Sequence, residues 1–231
     1  MIIAVIPARL SSKRLLKKNI IDFYGKPLIS YSIKVAKKAK IFDKIIVSSE
    51  SDKIIAIAKK YGACCPFKRP TNLSKDKIWA SEVVKHAVGW IEQNIKKPIY
   101  ICLIYSTAPL LIPKDLTESY KIIKNSRYKS VFSAVKNSYP VQRSFSLNKK
   151  KQITMLNKKN YYVRSQDLPI TYHDAGAFYW GTYKYWMNGE KAFSKSSKFY
   201  LLPQLRVQDI DNLEDLKVAK KLYQLLPINQ K

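Results

Sequence analysis

The sequence predicts an α/β fold, a largely parallel sheet with helices on both faces. Three observations carry this. Strand-like and helix-like segments alternate through the first 136 residues, the order that builds parallel sheets through right-handed crossovers. The strand candidates at 2–6 (I-I-A-V-I) and 99–105 (I-Y-I-C-L-I-Y) are unbroken apolar runs, as expected of strands buried on both faces. Each runs straight into a polar turn, P-A-R-L-S-S-K-R at Pro7 and S-T-A-P at Ser106. The carboxyl ends of such strands are where open α/β sheets hold ligands.

The elements follow in order. Gly25-Lys26-Pro27 opens a helix over 27–40, with Leu28, Ile29, Ile33, Ala36 and Ala39 on one face and Pro in a permitted first-turn position. Residues 44–48 form a second strand. Ser51 can cap a helix through Tyr61, and Gly62 can end it. A short strand at 63–65 precedes a loop, F-K-R-P-T-N-L-S-K-D. Residues 81–95 form a helix with Val83, Val84, Ala87, Trp90 and Ile91 inward, and the 99–105 strand then lies centrally. A helix spans 113–126 and a strand 130–136. The rhythm breaks at 139–171, where N-K-K-K-Q between short apolar stretches suits a projecting hairpin. Strands resume at 177–182 and 199–202. Asn212 and Asp215 make a capping box for a last helix, with Leu213, Leu216, Ala219, Leu222 and Tyr223 inward.

At 231 residues and 46% hydrophobic, the chain suits one domain with a proper core. No apolar run approaches the roughly 20 residues that span a bilayer, and Arg9 puts charge too early for a signal peptide. The expectation is a cytoplasmic protein without a membrane partner. Cys64 and Cys65 are neighbours and Cys102 sits in an apolar run, so all three cysteines read as reduced packing residues. The net charge of +27 raises the possibility of nucleic-acid binding. Yet seven arginines leave 36 lysines, scattered mostly over helix faces. A nucleic-acid footprint is clustered, so solvated faces are the better reading. The scarce arginines carry more information.

Three constellations can carry chemistry. The loop at 7–19 holds Arg9, Lys13, Arg14, Lys17 and Lys18 with no carboxylate; forked and mobile cations together suit a polyphosphate. Asp209 and Asp211, at period two, project to one face of an extended segment. Two such carboxylates can hold a hard divalent cation whose shell is completed by water and phosphate; otherwise they are an acidic turn before a capped helix. The stretch R-S-Q-D-L-P-I-T-Y-H-D-A-G-A-F-Y-W-G, at 164–181, gathers Arg, Gln, His and two Asp. His173 is there either a general base or, by preference, a structural histidine, since base catalysis needs a hydrogen-bond geometry. G-x-G-x-x-G, P-loop, nucleophile-elbow and zinc spacings do not occur.

These residues resemble the sugar-acid cytidylyltransferases, the CMP-sialic acid synthetase family. P-A-R-L-S-S-K-R…K-K-N is similar to that family's P-A-R-G-G-S-K-x…K-N, F-K-R-P-T-N-L-S-K-D to its R-P-x-x-L-S-x-D loop, and Q-D-I-D-N-L-E-D to its acidic motif. The likeness runs through nearly the whole chain. I-Y-S-T-A-P-L, Y-P-V-Q-R-S and R-S-Q-D-L-P…Y-H-D-A-G-A-F-Y-W-G resemble the branch acting on pseudaminic acid. Leu10-Ser11 stands where the family has Gly-Gly, Ser49-Glu50 where Thr-Asp is frequent, and Ala177 where Gln is usual.

The resemblance implies a three-layer, nucleotide-diphospho-sugar transferase-like (Rossmann-like) fold. It also implies transfer of CMP from CTP to a nine-carbon 2-keto sugar acid, with release of diphosphate. Arg9, Lys18 and Asp211 would be catalytic. Ala8, Arg9, Ser12, Lys13, Lys18, Asn19, Arg69 and Ser81 would bind nucleotide. Gln142, Arg143, Arg164, Gln166 and His173 would line the sugar pocket. Asp209 and Asp211 would hold Mg²⁺, with Mn²⁺ also admissible. The hairpin at 139–171 would make a homodimer. Sialic and legionaminic acid enzymes differ in sugar stereochemistry and remain open, as do an inactive homologue and a basic nucleic-acid-binding module.

Overall fold

A computed structural model describes residues 1–227. The chain runs through β1 (Ile2–Pro7), a small hairpin of β2 (Asp22–Phe23) and β3 (Lys26–Pro27), α1 (Ile29–Ala39), β4 (Lys44–Ser48), α2 (Asp52–Lys60) and α3 (Ala80–Asn94). It continues through β5 (Tyr100–Ile104), α4 (Pro113–Lys124) and β6 (Ser130–Lys136). A second hairpin, β7 (Phe145–Leu147) and β8 (Ile153–Met155), precedes β9 (Tyr172–Thr182), α5 (Tyr183–Asn188), β10 (Ser197–Leu201) and α6 (Leu213–Gln224).

Among the described residues the main sheet has the order β10-β6-β9-β5-β1-β4. β1 pairs in parallel with β4 and β5, and β10 in parallel with β6. β9 is antiparallel to both β5 and β6. The reversal has a simple cause: the chain leaves β6, makes its excursion and returns without a crossover helix, and a strand reached that way runs back along its neighbour. Where β9 bulges against β6, between the Phe132↔Tyr179 and Ala134↔Asp174 pairs, the Ser133 hydroxyl accepts from the Ala177 and Phe178 amides at 3.2 and 3.1 Å. Gly176 takes a left-handed φ of 58° in this bulge, a conformation that favours glycine.

Successive side chains of a strand point to opposite faces, and β1 shows the result. Ala4 and Ile6 join a core with Ile29 and Ile33 of α1, Ile54 of α2 and Leu116 of α4. Ile3 and Val5 join another with Val84, Val88 and Ile91 of α3 and Trp186 of α5. This gives the three layers. A third, smaller cluster ties Leu15, Phe23 and Leu28 to Ile210, Leu216 and Ala219. Its effect is positional: it fastens the 209–211 segment and α6 to the loop after β1.

Several local expectations shift. Pro27 ends the β2–β3 hairpin and α1 begins two residues later, because Phe23 turns into the third cluster and Tyr24 and Gly25 take positive φ at the hairpin tip. Ser51 occupies the N-cap of α2 without a capping side-chain bond. Leu213 is 61% exposed while Leu216 and Ala219 are buried, so α6 packs from its second turn onward. α5, six residues long and directly after β9, carried no separate sequence signal; it forms because Tyr185 and Trp186 fold back over Gly181, where an added Cβ would run into the Tyr185 ring.

Candidate active site

The chain crosses over from β4 to β5 past β1, so the strand order reverses beside β1. A crevice opens at the carboxyl ends of strands flanking such a switch point. Here it is a cleft of about 640 Å³, with Pro7 and Ala8 from β1 and its exit, Tyr105, Ser106 and Thr107 after β5, and the loop from Arg69 to Ala80. Arg9, Ser12, Lys13, Arg14, Lys18 and Asn19 line it from the loop after β1.

The sequence-distant motifs meet here through charge. Arg9 donates to Asp76 at 2.7 Å and to the Ser74 carbonyl at 3.3 Å, and Lys13 pairs with the other Asp76 oxygen at 2.7 Å. Lys13 and then Arg9 hold the Asp76 carboxyl below its ordinary range. Lys18 donates to Asp211 at 3.1 Å and to the Ile210 carbonyl at 2.7 Å, and Arg14 takes the other Asp211 oxygen. Four cations are therefore held in two carboxylate-centred groups. Both groups are partly exposed, so an incoming polyphosphate can compete for the same donors.

Asn19 is buried and builds the floor. It donates to the Arg9 carbonyl at 2.7 Å and accepts from the Ser106 hydroxyl at 2.7 Å, tying the loop after β1 to the turn after β5. Arg69, with its side chain 2% exposed, donates through Nε to Ser74 Oγ and through one terminal nitrogen to the Ala8 carbonyl and Glu50. Ser81 is exposed in the first turn of α3, outside the lining of this cleft, whereas its neighbours Trp79 and Ala80 line it.

Asp209 and Asp211 flank the fully buried Ile210, as period two requires. Desolvation, and next the neighbouring Asp211, push the Asp209 carboxyl above its ordinary range against the pull of Lys18 and Arg14. Tyr105 lines the cleft nearby. Burial, followed by Asp174 and Asp209, pushes its hydroxyl up to about 12. Asp174 accepts from the Tyr179 hydroxyl and from the Gly176 amide.

Gln142, Arg143, Arg164, Gln166 and His173 do not line the cleft. Gln142 and Arg143 reach across the base of the excursion, Gln142 to the Pro169 carbonyl at 2.9 Å and Arg143 to Ser165 Oγ at 3.4 Å. Arg164 pairs with Asp167 at 2.7 Å. His173 Nδ1 lies 2.7 Å from Asn137 Oδ1 on the β6 side of β9. Arg206 is structural, clamping the buried Asp115 through both terminal nitrogens.

Ser74, Asp76, Tyr105 and Ser106 line the cleft, and Glu50 accepts from its lining residues Arg69 and Ser74, none of them assigned from sequence. Their signal was placement: Glu50 follows a strand end in a chain with only 16 acidic residues, and Ser106 opens the turn after β5.

A family model described as Cytidylyltransferase matches residues 3–229. The chain is 44% identical over 223 residues to the pseudaminic acid cytidylyltransferase of Campylobacter jejuni subsp. jejuni, covering 96% of each. It is 29% identical over 224 residues to the N-acylneuraminate cytidylyltransferase of Escherichia coli O18:K1:H7, covering 96% of this chain and 52% of that protein. In fold it is similar to the solved CMP:2-keto-3-deoxy-manno-octonic acid synthetase complexed with CTP, with a TM-score of 0.72 at 14% identity, covering 96% of this chain and 98% of that one.

Proposed function

The chain belongs to the cytidylyltransferase family, and from that premise we propose that it transfers CMP from CTP to pseudaminic acid, releasing diphosphate. One observation carries the reaction class: the loop after β1 and the Arg69–Asp76 loop line one cleft at the switch point, and Asp211 pairs with two of its lining cations, Arg14 and Lys18. The branch rests on the 44% identity, set against 29% for the N-acylneuraminate enzyme, and on the 164–181 stretch.

In this reading the anomeric hydroxyl of the sugar acid attacks the α-phosphorus in line. The bond from that phosphorus to the bridging oxygen breaks, diphosphate leaves, and the hydroxyl proton is released. Positioning and charge neutralisation dominate such transfers. Arg9, Lys13 and Lys18 exchange their carboxylate partners for triphosphate oxygens. Asn19 and Ser12 fix the loop that presents them, and the Trp79–Ala80 edge takes the nucleoside, with Ser81 at its rim. Gln142, Arg143, Arg164, Gln166 and His173 receive the sugar acid from the excursion, one cation meeting its carboxylate.

Asp209 and Asp211 suit Mg²⁺, and Mn²⁺ by the same chemistry. Their oxygens are hard donors, and a divalent ion would offset the desolvation, and next the Asp211 charge, that push Asp209 up. The two carboxylates would supply part of the ion's shell, waters and substrate phosphate the rest; among the described residues no group of three or more potential metal-ligating side chains occurs. Once bound, the ion would supply positive charge at the α-phosphate. The chain would act as one catalytic unit and, through the 139–171 excursion, as a homodimer. Among the described residues no helix is long and apolar enough to cross a membrane, consistent with work in the cytoplasm on soluble substrates.

The test is diphosphate release from CTP and Mg²⁺ with pseudaminic acid and N-acetylneuraminic acid offered in parallel. Release with pseudaminic acid alone, lost in Asp211→Ala, is the expected result. Release only with N-acetylneuraminic acid keeps the chemistry and overturns the branch. Silence with both overturns the reading.

A further inference from the structure

Glu50 takes no part in the reaction as derived above, yet its carboxylate links three segments around the cleft. One oxygen accepts from the Leu10 amide at 2.9 Å; the other accepts from Arg69 at 2.7 Å and from Ser74 Oγ at 3.2 Å. Ser74 Oγ in turn accepts from Arg69 Nε at 3.0 Å, the Arg69 amide donates to the Ser49 carbonyl at 2.8 Å, and Arg69 reaches the Ala8 carbonyl at 3.0 Å. We propose that Glu50 is a positioning residue for the nucleotide, a clamp that holds the loop after β1 open and in register with the Arg69–Asp76 loop. The proposal rests on the cytidylyltransferase reading for its ligand, but not for its geometry.

Two physical points carry it. First, the residues that line the cleft from residues 9–14 hang on a loop of low regular structure. Within that loop, the Leu10 amide is the backbone donor that Glu50 captures. Fixing that amide sets the direction in which Arg9 leaves the chain and in which Ser12 and Lys13 follow. Second, burial disfavours the Arg69 charge, Glu50 supports it through a hydrogen bond and its own charge, and Arg9 adds a smaller repulsion. A buried guanidinium needs a paired carboxylate to remain in place, and Glu50, with its side chain 19% exposed, provides it. With Arg69 neutralised locally, Arg9 turns outward to Asp76 and the cleft. Arg69 is then a strut between loops, oriented by Glu50.

Glu50→Gln keeps the size and one acceptor oxygen but removes the charge that Arg69 needs. Steady-state kinetics of this variant should show a KM for CTP raised at least tenfold, with the KM for the sugar acid within twofold of wild type. Amide hydrogen exchange at Leu10 and its neighbours should accelerate at least tenfold, while exchange in β5 stays unchanged. A merely structural residue would speed exchange throughout and move both KM values or neither. Ser74→Ala removes one hydroxyl and no charge, so it serves if Glu50→Gln does not fold; a two- to fivefold rise in KM for CTP is expected. Unchanged KM for CTP and unchanged Leu10 exchange in a folded variant overturn the clamp. If wild type turns over neither sugar acid but Leu10 exchange still accelerates in Glu50→Gln, the reaction has been misassigned and the clamp stands.

Discussion

Asp209 shows at the scale of one residue how the proposed metal role sets against stability. Its carboxyl is raised by desolvation and by Asp211, so folding makes ionisation harder. For such a group the folded state is at no disadvantage below the ordinary carboxylate range, and stability is lost as pH rises through the ordinary value toward the raised one. At pH 7 the ionised Asp209 therefore weighs against the metal-free fold. Asp209→Asn should melt above wild type in metal-free buffer at pH 7, and the gap should close as pH falls toward 3. The same variant should lose at least about 100-fold in turnover, the scale of removing a charge-stabilising group from an active site. Added Mg²⁺ should raise the melting temperature of wild type and leave the variant unmoved. A variant that melts lower at pH 7, or one that turns over normally, would remove the metal role. The sequence exposed this pair through period two alone. It did not show that Arg14 and Lys18 share Asp211, because that contact spans nearly 200 positions and depends on Ile210 being buried against Leu15.

At the scale of elements, the β7–β8 hairpin leaves all but one of its strand residues exposed. Phe145, Leu147 and Ile153 are 59%, 60% and 67% exposed, and Tyr161 and Tyr162 beyond them 60% and 93%. Two short strands on their own are marginal in water, and an apolar patch of this kind marks an interaction surface. A second copy of the chain is the expected cover. Sedimentation equilibrium should give a dimer for wild type and a monomer for Phe145→Asp/Ile153→Asp, with unchanged circular dichroism because neither side chain joins a described core cluster. A monomeric wild type would remove the assignment. The hairpin was legible from N-K-K-K-Q between apolar stretches, as were the sheet strands from their unbroken apolar runs. Pro27 was not: Pro suits a first helical turn and the end of a hairpin equally well, and only the burial of Phe23 decides between them. The direction of β9 was equally hidden, because an apolar strand reads the same whether its neighbours run with it or against it. The cation-rich wall of the cleft was legible because Arg9, Lys13, Arg14 and Lys18 lie close together in the chain. Glu50 was not, since a single acid after a strand shows nothing of the Leu10 amide it will accept from.

For the whole molecule, the net charge of +27 makes two readings testable in one experiment. The lysines lie on α1, α2, α6 and the excursion alike, at Lys37, Lys59, Lys217 and Lys150 for example, and these are exposed. Such a spread gives no stripe for a duplex to follow. It does give a positive field over the whole surface, and CTP and a sugar acid are both anions. A field of this kind raises encounter rates and is screened over about 8–10 Å at ordinary ionic strength. The four cations paired to Asp76 and Asp211 are a separate matter, since they act only on contact. Raising KCl from about 25 to about 200 mM should therefore lower kcat/KM for CTP about three- to tenfold while kcat holds steady, because screening weakens approach and capture without altering the bound geometry. A short DNA duplex at about 150 mM salt should leave the rate unchanged. A flat kcat/KM would mean that the surface charge has no part in capturing CTP. Strong competition by DNA, falling steeply with salt as counterion release requires, would instead mean that the scattered lysines form a nucleic-acid surface after all.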